Sequence, residues 1–339
     1  MPPSQPHSTA TVTNAAAPML RQPVSGPRAW TRATLREQDY LIGLPDACQE
    51  ELLQALAALR QAPVALTQLD ADAHALPQCR ALMAQVKAVL DEGVMFAVLD
   101  RLDLQRMSAD DARAAYWLLC SLMSQPVAQR YNGEMIFEVL DRKVPVVPGS
   151  GVRPTVSNVD MTFHSDSSYH TPQPDYIALL CLGTPASGGV SRVASLYTAH
   201  NAMLAQHPDK LERLYQPFWY DRYREHAEGE CGIVQYPMLS FDGARLNSRV
   251  ALPEIAAGYV LKGESIDAEG HAAIDALKGV FAQNEISTEF SMQRGQIQFV
   301  NNRQALHSRT DFVDSPDGQH RRHLVRLWLR NEGGRGFMG

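Results

Sequence analysis

The sequence predicts an α+β fold that is mainly β. Beyond residue 150 the chain breaks into short β-rich segments separated by Gly and Pro, a pattern typical of a sandwich or barrel. The first third of the chain instead alternates helix and strand. The clearest β-rich segments are Asp175–Leu182, Ser191–Leu196, Gly295–Val300 and His323–Leu329.

The helices are predicted from apolar spacing and from capping residues. Apolar residues recur at helical spacing between Leu44 and Leu59, and a short buried strand follows at Phe96–Asp100. Ser108–Asp111 has the form of a capping box that opens a helix through about Met123. A further helix over Leu196–Gln206 is expected to pack outside the sheets.

Length and composition favour one folded domain preceded by a tail. Hydrophobic residues make up 45% of the 339 residues and charged residues 20%, so the bulk of the chain should fold. No internal repeat divides it, and we predict a single domain over residues 31–339. Residues 1–30 are rich in Pro, Ser, Thr and Ala, and we predict that they form a disordered tail.

Charge and apolar patterning exclude two classes of partner. The net charge is −6 and no Lys/Arg-rich run occurs, which argues against nucleic acid. The longest nearly apolar stretch, Tyr176–Leu182, is too short to span a membrane. The five cysteines are scattered without a CxxC pair, and no apolar leader occurs, so we expect a reduced, cytoplasmic setting.

The chemistry-bearing residues centre on His164 and Asp166, which are separated by one residue. On a strand both would point to the same face, so an imidazole and a carboxylate could bind one ion. His307 follows a predicted alternating strand in a turn-rich exit. With it the set becomes two histidines and one carboxylate, the arrangement typical of non-haem iron(II) oxygenases.

Two other histidines are weaker ligand candidates. His207 and Asp209 have the same spacing, but Pro208 between them indicates a helix stop followed by a solvated turn. His170 would suit a zinc site with His164, although His307 is better placed to complete the set.

Near the C-terminus, Arg322, Leu324, Arg326 and Trp328 share one face of a predicted strand. One interpretation is an edge strand with a solvated basic face. The other is that at least one guanidinium receives a carboxylate in a bidentate fork inside the barrel, as a small dicarboxylate co-substrate would require.

Together these residues resemble the TauD/TfdA family of iron(II)/2-oxoglutarate dioxygenases over about residues 95–330. The resemblance rests on the order and spacing of six short segments. They are Phe163–Asp166, Pro174–Tyr176, Gly188–Ser191, Asn301–Arg303, His307–Thr310 and Arg321–Arg326.

The resemblance implies a double-stranded β-helix, or jelly roll, with helices outside. It also implies Fe(II) bound by His164, Asp166 and His307, with 2-oxoglutarate and O₂ as co-substrates. The expected reaction is hydroxylation of an unactivated carbon in a small, carboxylate-bearing metabolite, amino-acid-like or a secondary-metabolite intermediate, with release of succinate and CO₂. Desaturation, epoxidation and cyclisation stay open, whereas halogenating relatives lack the carboxylate ligand.

The resemblance also implies roles in ligand binding. Ser191 stands where the family usually has Thr, and it would bind the distal carboxylate of 2-oxoglutarate together with Arg322. Arg326 would meet an anionic group of the prime substrate or, alternatively, would brace a carboxylate near the metal.

Several alternatives remain open from the sequence. One is a non-catalytic, cupin-like binding barrel, and another is a zinc hydrolase, against which Arg322 counts. The cluster Trp219, Tyr220 and Tyr223 is equally compatible with a substrate pocket and with core. A homo-oligomer is also left open, and the sequence does not identify the prime substrate.

Overall fold

A computed structural model describes residues 18–145, 147, 150 and 152–339. The α-helices in this part of the chain are α1 (Asp46–Gln61), α2 (Pro77–Asp91), α3 (Ala109–Met123), α4 (Leu196–Gln206), α5 (Pro208–Leu214), α6 (Leu252–Lys262) and α7 (Ala268–Phe281). Short 3₁₀ turns lie at Pro27–Ala29, Glu37–Asp39, Leu66–Gln68, Ala71–Ala73 and Pro154–Val156.

The strands lie mostly in the second half of the chain, as the sequence predicted. They are β1 (Leu41–Gly43), β2 (Phe96–Asp100), β3 (Gln125–Val127), β4 (Phe137–Val139), β5 (Met161–His164), β6 (Tyr176–Gly183), β7 (Ser187–Gly188), β8 (Ser191–Ser195), β9 (Pro217–Asp221), β10 (Ile233–Pro237), β11 (Leu239–Phe241), β12 (Leu246–Ser248), β13 (Ser287–Phe290), β14 (Ile297–Asn301), β15 (Ala305–Arg309), β16 (Phe312–Val313) and β17 (His323–Arg330).

Two sheets build the body of the protein. The larger has the strand order β1-β2-β14-β6-β17-β3, with β4 also paired to β17. The smaller has the order β13-β8-β15-β5. Pairing in both sheets is antiparallel except for β1 and β2, which run parallel. Strand β1, near the start of the described chain, and β17, near its end, therefore belong to the same sheet.

Strand β17 separates two regions of the core. Leu324 and Trp328 belong to one buried cluster together with Leu306 of the smaller sheet. Val325 and Leu327, on the opposite face, pack in a second cluster with the helices of the first third. The alternation predicted for this strand is therefore confirmed, and its Arg322–Trp328 face points towards the space between the sheets.

Local helix signals are confirmed where the chain provides its own cap. Ser108 Oγ accepts a hydrogen bond from the backbone N–H of Asp111 at 3.1 Å, and the Asp111 carboxylate accepts one from the Ser108 N–H at 3.0 Å. This capping box begins α3, as predicted. Helix α4 likewise has the predicted bounds.

Three expectations from sequence need correction. In the described part of the chain more residues lie in α-helices than in strands, so the fold is mixed α and β rather than mainly β, because long helices cover the short strands. Pro208 does not lead into a solvated turn but occupies the first position of α5, where its missing N–H costs no hydrogen bond.

The last residues of the predicted tail also pack against the folded chain: the Val24 N–H donates a hydrogen bond to the Asn201 side chain at 2.9 Å, and the Asn201 amide donates to the Val24 carbonyl at 2.7 Å. Trp30 is buried, and its indole donates a hydrogen bond to the Val94 carbonyl at 2.8 Å. Residues 1–17 of that tail lie outside the described residues.

Among the described residues, none of the helices combines the length and the apolar run that crossing a bilayer would require.

Candidate metal and co-substrate site

The two candidate histidine ligands lie on neighbouring strands of the smaller sheet. His164 ends β5, His307 lies in the middle of β15, and the antiparallel register places them directly opposite each other. Their ring centroids are 4.3 Å apart. His307 therefore belongs to a strand rather than to the turn-rich exit expected from sequence, and cross-strand pairing brings the two imidazoles together.

Asp166 reaches the same point from a turn. Strand β5 ends at His164, so strand alternation is not what aligns Asp166 with it, contrary to the prediction. Instead the backbone N–H of Asp166 donates to the Asn302 side chain at 2.7 Å, and the Asn302 amide donates back to the Asp166 carbonyl at 3.0 Å. Asn302 is completely buried and thereby fixes the turn.

One ligand atom from each of His164, Asp166 and His307 lies within 4.8 Å of the others, and in the described part of the chain this is the one such group of three. Asp166 Oδ1 lies 3.4 Å from Nε2 of His164 and 3.6 Å from Nε2 of His307. The His164 Nδ1 contacts the Thr162 carbonyl at 2.9 Å, which turns Nε2 towards the carboxylate. Two nitrogens and one oxygen thus converge.

The second oxygen of Asp166 is held from the opposite side. Oδ2 accepts a hydrogen bond from Nε1 of Trp328 at 2.7 Å. The same oxygen forms an ion pair with Nη1 of Arg326 at 2.9 Å. The Arg326 Nε in turn donates to Gln129 at 2.8 Å. With Oδ2 occupied, Oδ1 is the oxygen that faces the two imidazoles.

The electrostatics suit a cation between these three side chains. Burial alone would raise the pKa of Asp166, but Arg326 and the histidines hold it well below its usual range. Burial, reinforced by the charge of His164, lowers the pKa of His307 to about 3. Burial is also the largest single effect on His164 and would lower its pKa, but the hydrogen bond and charge of Asp166 and the contact with the Thr162 carbonyl together raise the pKa. An ionised carboxylate beside a neutral imidazole is the donor chemistry that a divalent metal requires.

Arg322 lies in a pocket on one side of the three converging side chains, which we call the arginine pocket. Its lining includes Ser191, Gln298, His307, Ser308 and Arg322. Arg322 is buried, and among the described residues its Nη1 finds no hydrogen-bond partner. Burial and the charge of Arg309 lower the pKa of Arg322 to about 9, which still leaves the guanidinium charged at neutral pH. A buried guanidinium nitrogen that has no hydrogen-bond partner among the described residues is suited to an anionic ligand.

Two features hold the Arg322 side chain in place. Its backbone N–H donates to Asp314 at 2.8 Å, and its guanidinium lies 5.4 Å from the ring centroid of Phe312. Gly189 has a φ of +68°, and a Cβ there would lie 3.2 Å from Cδ of Arg322. A larger residue at position 189 would therefore be strained and would crowd the arginine. Ser191 begins β8 and is buried beside it.

On the other side of His164 and Asp166 lies a second pocket, which we call the substrate cavity after the role that we propose for it. It is lined among others by Arg153, Tyr169, Tyr223, Glu254, Arg326 and Trp328. The guanidinium of Arg153 is bound to Glu225 at 2.8 Å and to the Tyr169 hydroxyl at 2.9 Å. Neither Arg153 nor Glu254 was a candidate site residue from the sequence, because no spacing pattern surrounds either residue.

The competing sequence candidates lie elsewhere. Asp209 makes an ion pair with Lys210 at 3.0 Å. His170 stacks on Phe337 with ring centroids 4.2 Å apart and bonds the Phe337 carbonyl. Within the aromatic cluster of Trp219, Tyr220 and Tyr223, one tyrosine lies in the core and the other lines a pocket. Tyr220 is fully buried in the core, and Tyr223 lines the substrate cavity.

Comparison with known proteins gives the same picture. Residues 53–328 match the family described as "Taurine catabolism dioxygenase TauD, TfdA family". FR-33289 synthase of Streptomyces rubellomurinus is 25% identical over 323 residues, which cover 94% of each chain. Taurine hydroxylase-like protein SAT17 of Stachybotrys chartarum is 23% identical over 299 residues, covering 86% of this chain and 75% of that one.

Solved structures share the fold. Asparagine oxygenase in complex with Fe(II), 2S,3S-3-hydroxyasparagine and succinate has a TM-score of 0.64 at 20% identity, over 86% of this chain and 93% of that one. The non-heme iron oxygenase OrfP in complex with Fe and alpha-ketoglutaric acid has a TM-score of 0.61 at 17% identity, over 86% and 94% of the two chains. Since the family match spans most of the sequence, the chain belongs to the TauD/TfdA family and is a 2-oxoglutarate-dependent non-haem iron dioxygenase that uses Fe(II), 2-oxoglutarate and O₂.

Proposed function

We propose that this dioxygenase hydroxylates an unactivated carbon of a small, carboxylate-bearing metabolite and releases succinate and CO₂. The observation that carries the proposal is the buried guanidinium of Arg322 beside the converging His164, Asp166 and His307, since its Nη1 has no hydrogen-bond partner among the described residues. Asparagine oxygenase and OrfP, which share the fold, have been crystallised with hydroxylated amino acids. A zinc hydrolase and a non-catalytic barrel, the alternatives open from sequence, are not supported by membership of this family.

His164, Asp166 and His307 would hold the iron. Their ligand atoms lie close enough to share one ion, and Asp166 is ionised and fixed by Trp328 and Arg326. Two nitrogens and one oxygen on one face of a metal leave the remaining positions open for co-substrates. The chemistry that the metal supplies when bound is activation of O₂, coupled to oxidative decarboxylation of 2-oxoglutarate.

Ser191 and Arg322 would hold the distal carboxylate of 2-oxoglutarate. Both line the arginine pocket, which also contains His307, so a ligand fixed at Arg322 would extend towards the metal ligands. The guanidinium supplies charge and a fork, whereas the serine supplies one neutral hydroxyl. The Ser308 hydroxyl and the Gln298 carbonyl oxygen, which have no hydrogen-bond partner in the described part of the chain, offer further polar contacts in the same pocket.

Arg326 combines the two roles considered from sequence. Its Nη1 braces Asp166, while its Nη2 is buried without a hydrogen-bond partner among the described residues. Arg326 lines both the arginine pocket and the substrate cavity. We assign Nη1 to positioning the metal-binding carboxylate and Nη2 to an anionic group of the prime substrate.

We extend the proposal to the fold of the chain and to its cellular compartment. The two facing sheets would form the double-stranded β-helix, within one domain over residues 31–339, because the larger sheet joins β1 to β17. All five cysteines are unpaired thiols, which fits a reduced, cytoplasmic compartment. A homo-oligomer remains an open prediction.

The test is succinate formation in the presence of Fe(II), O₂ and 2-oxoglutarate, screened over amino acids and small anionic metabolites. We expect a subset of these compounds to stimulate succinate release, and the stimulating compound to gain one oxygen atom by mass spectrometry. His307→Ala should reduce turnover to background, whereas Asp209→Ala, at the other His-x-Asp segment, should not. Retention of most activity by folded His307→Ala would contradict the assignment.

A further inference from the structure

The charged side chains that line the substrate cavity are nearly all paired. Arg153 is bound to Glu225 at 2.8 Å and Arg326 to Asp166 at 2.9 Å. Asp160, at the same cavity, is bound to Arg192 at 2.7 Å. In the part of the chain that the structure describes, these pairs leave one carboxylate of the cavity wall outside any ion pair.

That carboxylate belongs to Glu254. It lies in the first turn of α6, is partly buried, and makes no hydrogen bond or ion pair with another described residue. Burial raises the pKa of Glu254, although the charge of His164 acts against this. A carboxylate in such a place is more stable in the ionised form when a cation stands beside it.

The position of Glu254 is fixed by the packing of α6. A Cβ at Gly258 would lie 2.5 Å from the Trp219 carbonyl oxygen, so the helix contacts β9 backbone to backbone. Ile255 and Tyr259 are buried on the same side. This close packing leaves α6 little freedom to rotate, and it places Glu254 at the cavity with His164 and Asp166.

A helix-stabilising role alone does not account for this placement. An acidic residue in the first turn is favourable because of the helix dipole. Glu269 occupies the first turn of α7 in the same way, but it is exposed to solvent. A carboxylate can therefore stabilise a helix of this protein from the exposed surface, so the helix dipole does not by itself explain why Glu254 lies at the cavity with His164 and Asp166.

We propose that Glu254 binds a cationic group of the prime substrate, a protonated amine or a guanidinium. This inference rests on the proposed function, because it takes the cavity beside the metal ligands as the place of the substrate. With Arg326 Nη2 available to an anionic group in the same cavity, the preferred substrate carries both charges. A zwitterion of the amino-acid type meets this requirement, and a purely anionic metabolite does not.

The test compares matched probes that differ in one charge. The L-amino acids and their N-acetyl derivatives are titrated into anaerobic protein loaded with Fe(II) and 2-oxoglutarate, and dissociation constants are measured by calorimetry. Basic amino acids are also compared with uncharged analogues of the same length. We expect the tightest wild-type ligand to lose about tenfold or more in affinity when its cationic group is neutralised, as for a charge-assisted hydrogen bond.

Glu254→Gln should abolish that discrimination, so the charged and neutral probes of the pair bind within about twofold of each other. Glu269→Gln, the matched first-turn substitution in α7, should retain the wild-type ratio. Glu254→Asp serves as a second variant and should retain part of the discrimination between charged and neutral probes. The inference is overturned if neutral or purely anionic probes bind wild-type protein best, if no cationic probe binds, or if Glu254→Gln keeps the ratio.

The same measurements separate this inference from the proposed function. Succinate release stimulated only by purely anionic compounds would leave the proposed function intact and remove the role of Glu254. Absence of iron-dependent succinate release with every probe would contradict the proposed function itself, and cation discrimination by calorimetry would still decide the role of Glu254.

Discussion

Trp328 donates its indole N–H to Oδ2 of Asp166 at 2.7 Å, and both side chains are buried. The bond links the end of the larger sheet to the turn that follows β5 in the smaller one. Since Arg326 reaches the same oxygen at 2.9 Å, two contacts from β17 hold the carboxylate with Oδ1 towards the imidazoles. Such supporting contacts orient a ligand and reduce the reorganisation that binding requires.

Trp328→Phe should weaken metal binding because it removes the hydrogen bond and keeps most of the packing. Loss of a contact that supports a metal ligand costs about ten- to a hundredfold in affinity, and we expect a dissociation constant for Fe(II) raised by that factor. Anaerobic titration measures it. Trp219→Phe is the control, because the Trp219 ring lies beside Lys262 at the end of α6 and lines neither the arginine pocket nor the substrate cavity. Equal iron affinity in wild type and Trp328→Phe would show that the indole does not support Asp166.

Arg322→Ala should weaken 2-oxoglutarate binding. Hydrogen bonds to charged groups contribute roughly 1.5–3 kcal/mol, so the dissociation constant should rise by about ten- to over a hundredfold. Ser191→Ala should have a smaller effect, because a neutral hydroxyl contributes about 1 kcal/mol. Arg321→Ala, at the exposed neighbouring position, is the control. Calorimetry with 2-oxoglutarate would refute the assignment if Arg322→Ala and Arg321→Ala bind alike.

Substitutions at Arg326 should separate its two roles. Arg326→Lys retains a charge for Asp166 but loses the planar fork, so it should raise KM for the prime substrate by about tenfold with iron affinity nearly preserved. Arg326→Gln should impair both substrate binding and iron binding. Steady-state kinetics, iron titration and 2-oxoglutarate binding distinguish the cases. An unchanged KM in Arg326→Lys, or a 2-oxoglutarate affinity that falls in step with KM, would exclude the substrate contact.

Stability should decrease as the pH falls below about 6.5, and His200 should contribute to that loss. Burial lowers the pKa of His200 to about 4, so the unfolded chain takes up its proton first. The stability from this group is fully present above the unfolded pKa and is lost as pH falls towards 4, by up to about 1.4 kcal/mol per pH unit. His170, also lowered to about 4 by burial, acts in the same direction.

His200→Gln should therefore flatten the dependence of the free energy of unfolding on pH between about 4 and 6.5. Urea unfolding at several pH values measures the slope. His271→Gln, on the exposed face of α7, should leave the slope as in wild type. If His200→Gln loses stability with the wild-type slope, the buried His200 does not titrate as described.

Sequence reasoning succeeded where structure is local. The capping box at Ser108 depends on residues within one turn, and the alternation along β17 depends on the backbone alone. Pro208 was harder, because a proline after a helix marks a stop and also suits the first turn of the next helix.

Long-range contacts explain most of what the sequence did not predict. The ligand set was predicted, but Asp166 is aligned by Asn302, which is 136 positions away, and not by strand alternation. The partner of Arg326 and the orientation of Glu254 depend on where β17 and α6 pack against other elements. No spacing in a single sequence encodes those contacts.

Locating the metal in a crystal would test the assignment of His164, Asp166 and His307 as the iron ligands. Crystals grown anaerobically with Fe(II) and measured at the iron absorption edge should show one anomalous peak per chain. We expect that peak between Nε2 of His164, Oδ1 of Asp166 and Nε2 of His307, and we expect it to be lost in His307→Ala. A peak at His207 and Asp209, or an undiminished peak in His307→Ala, would contradict it.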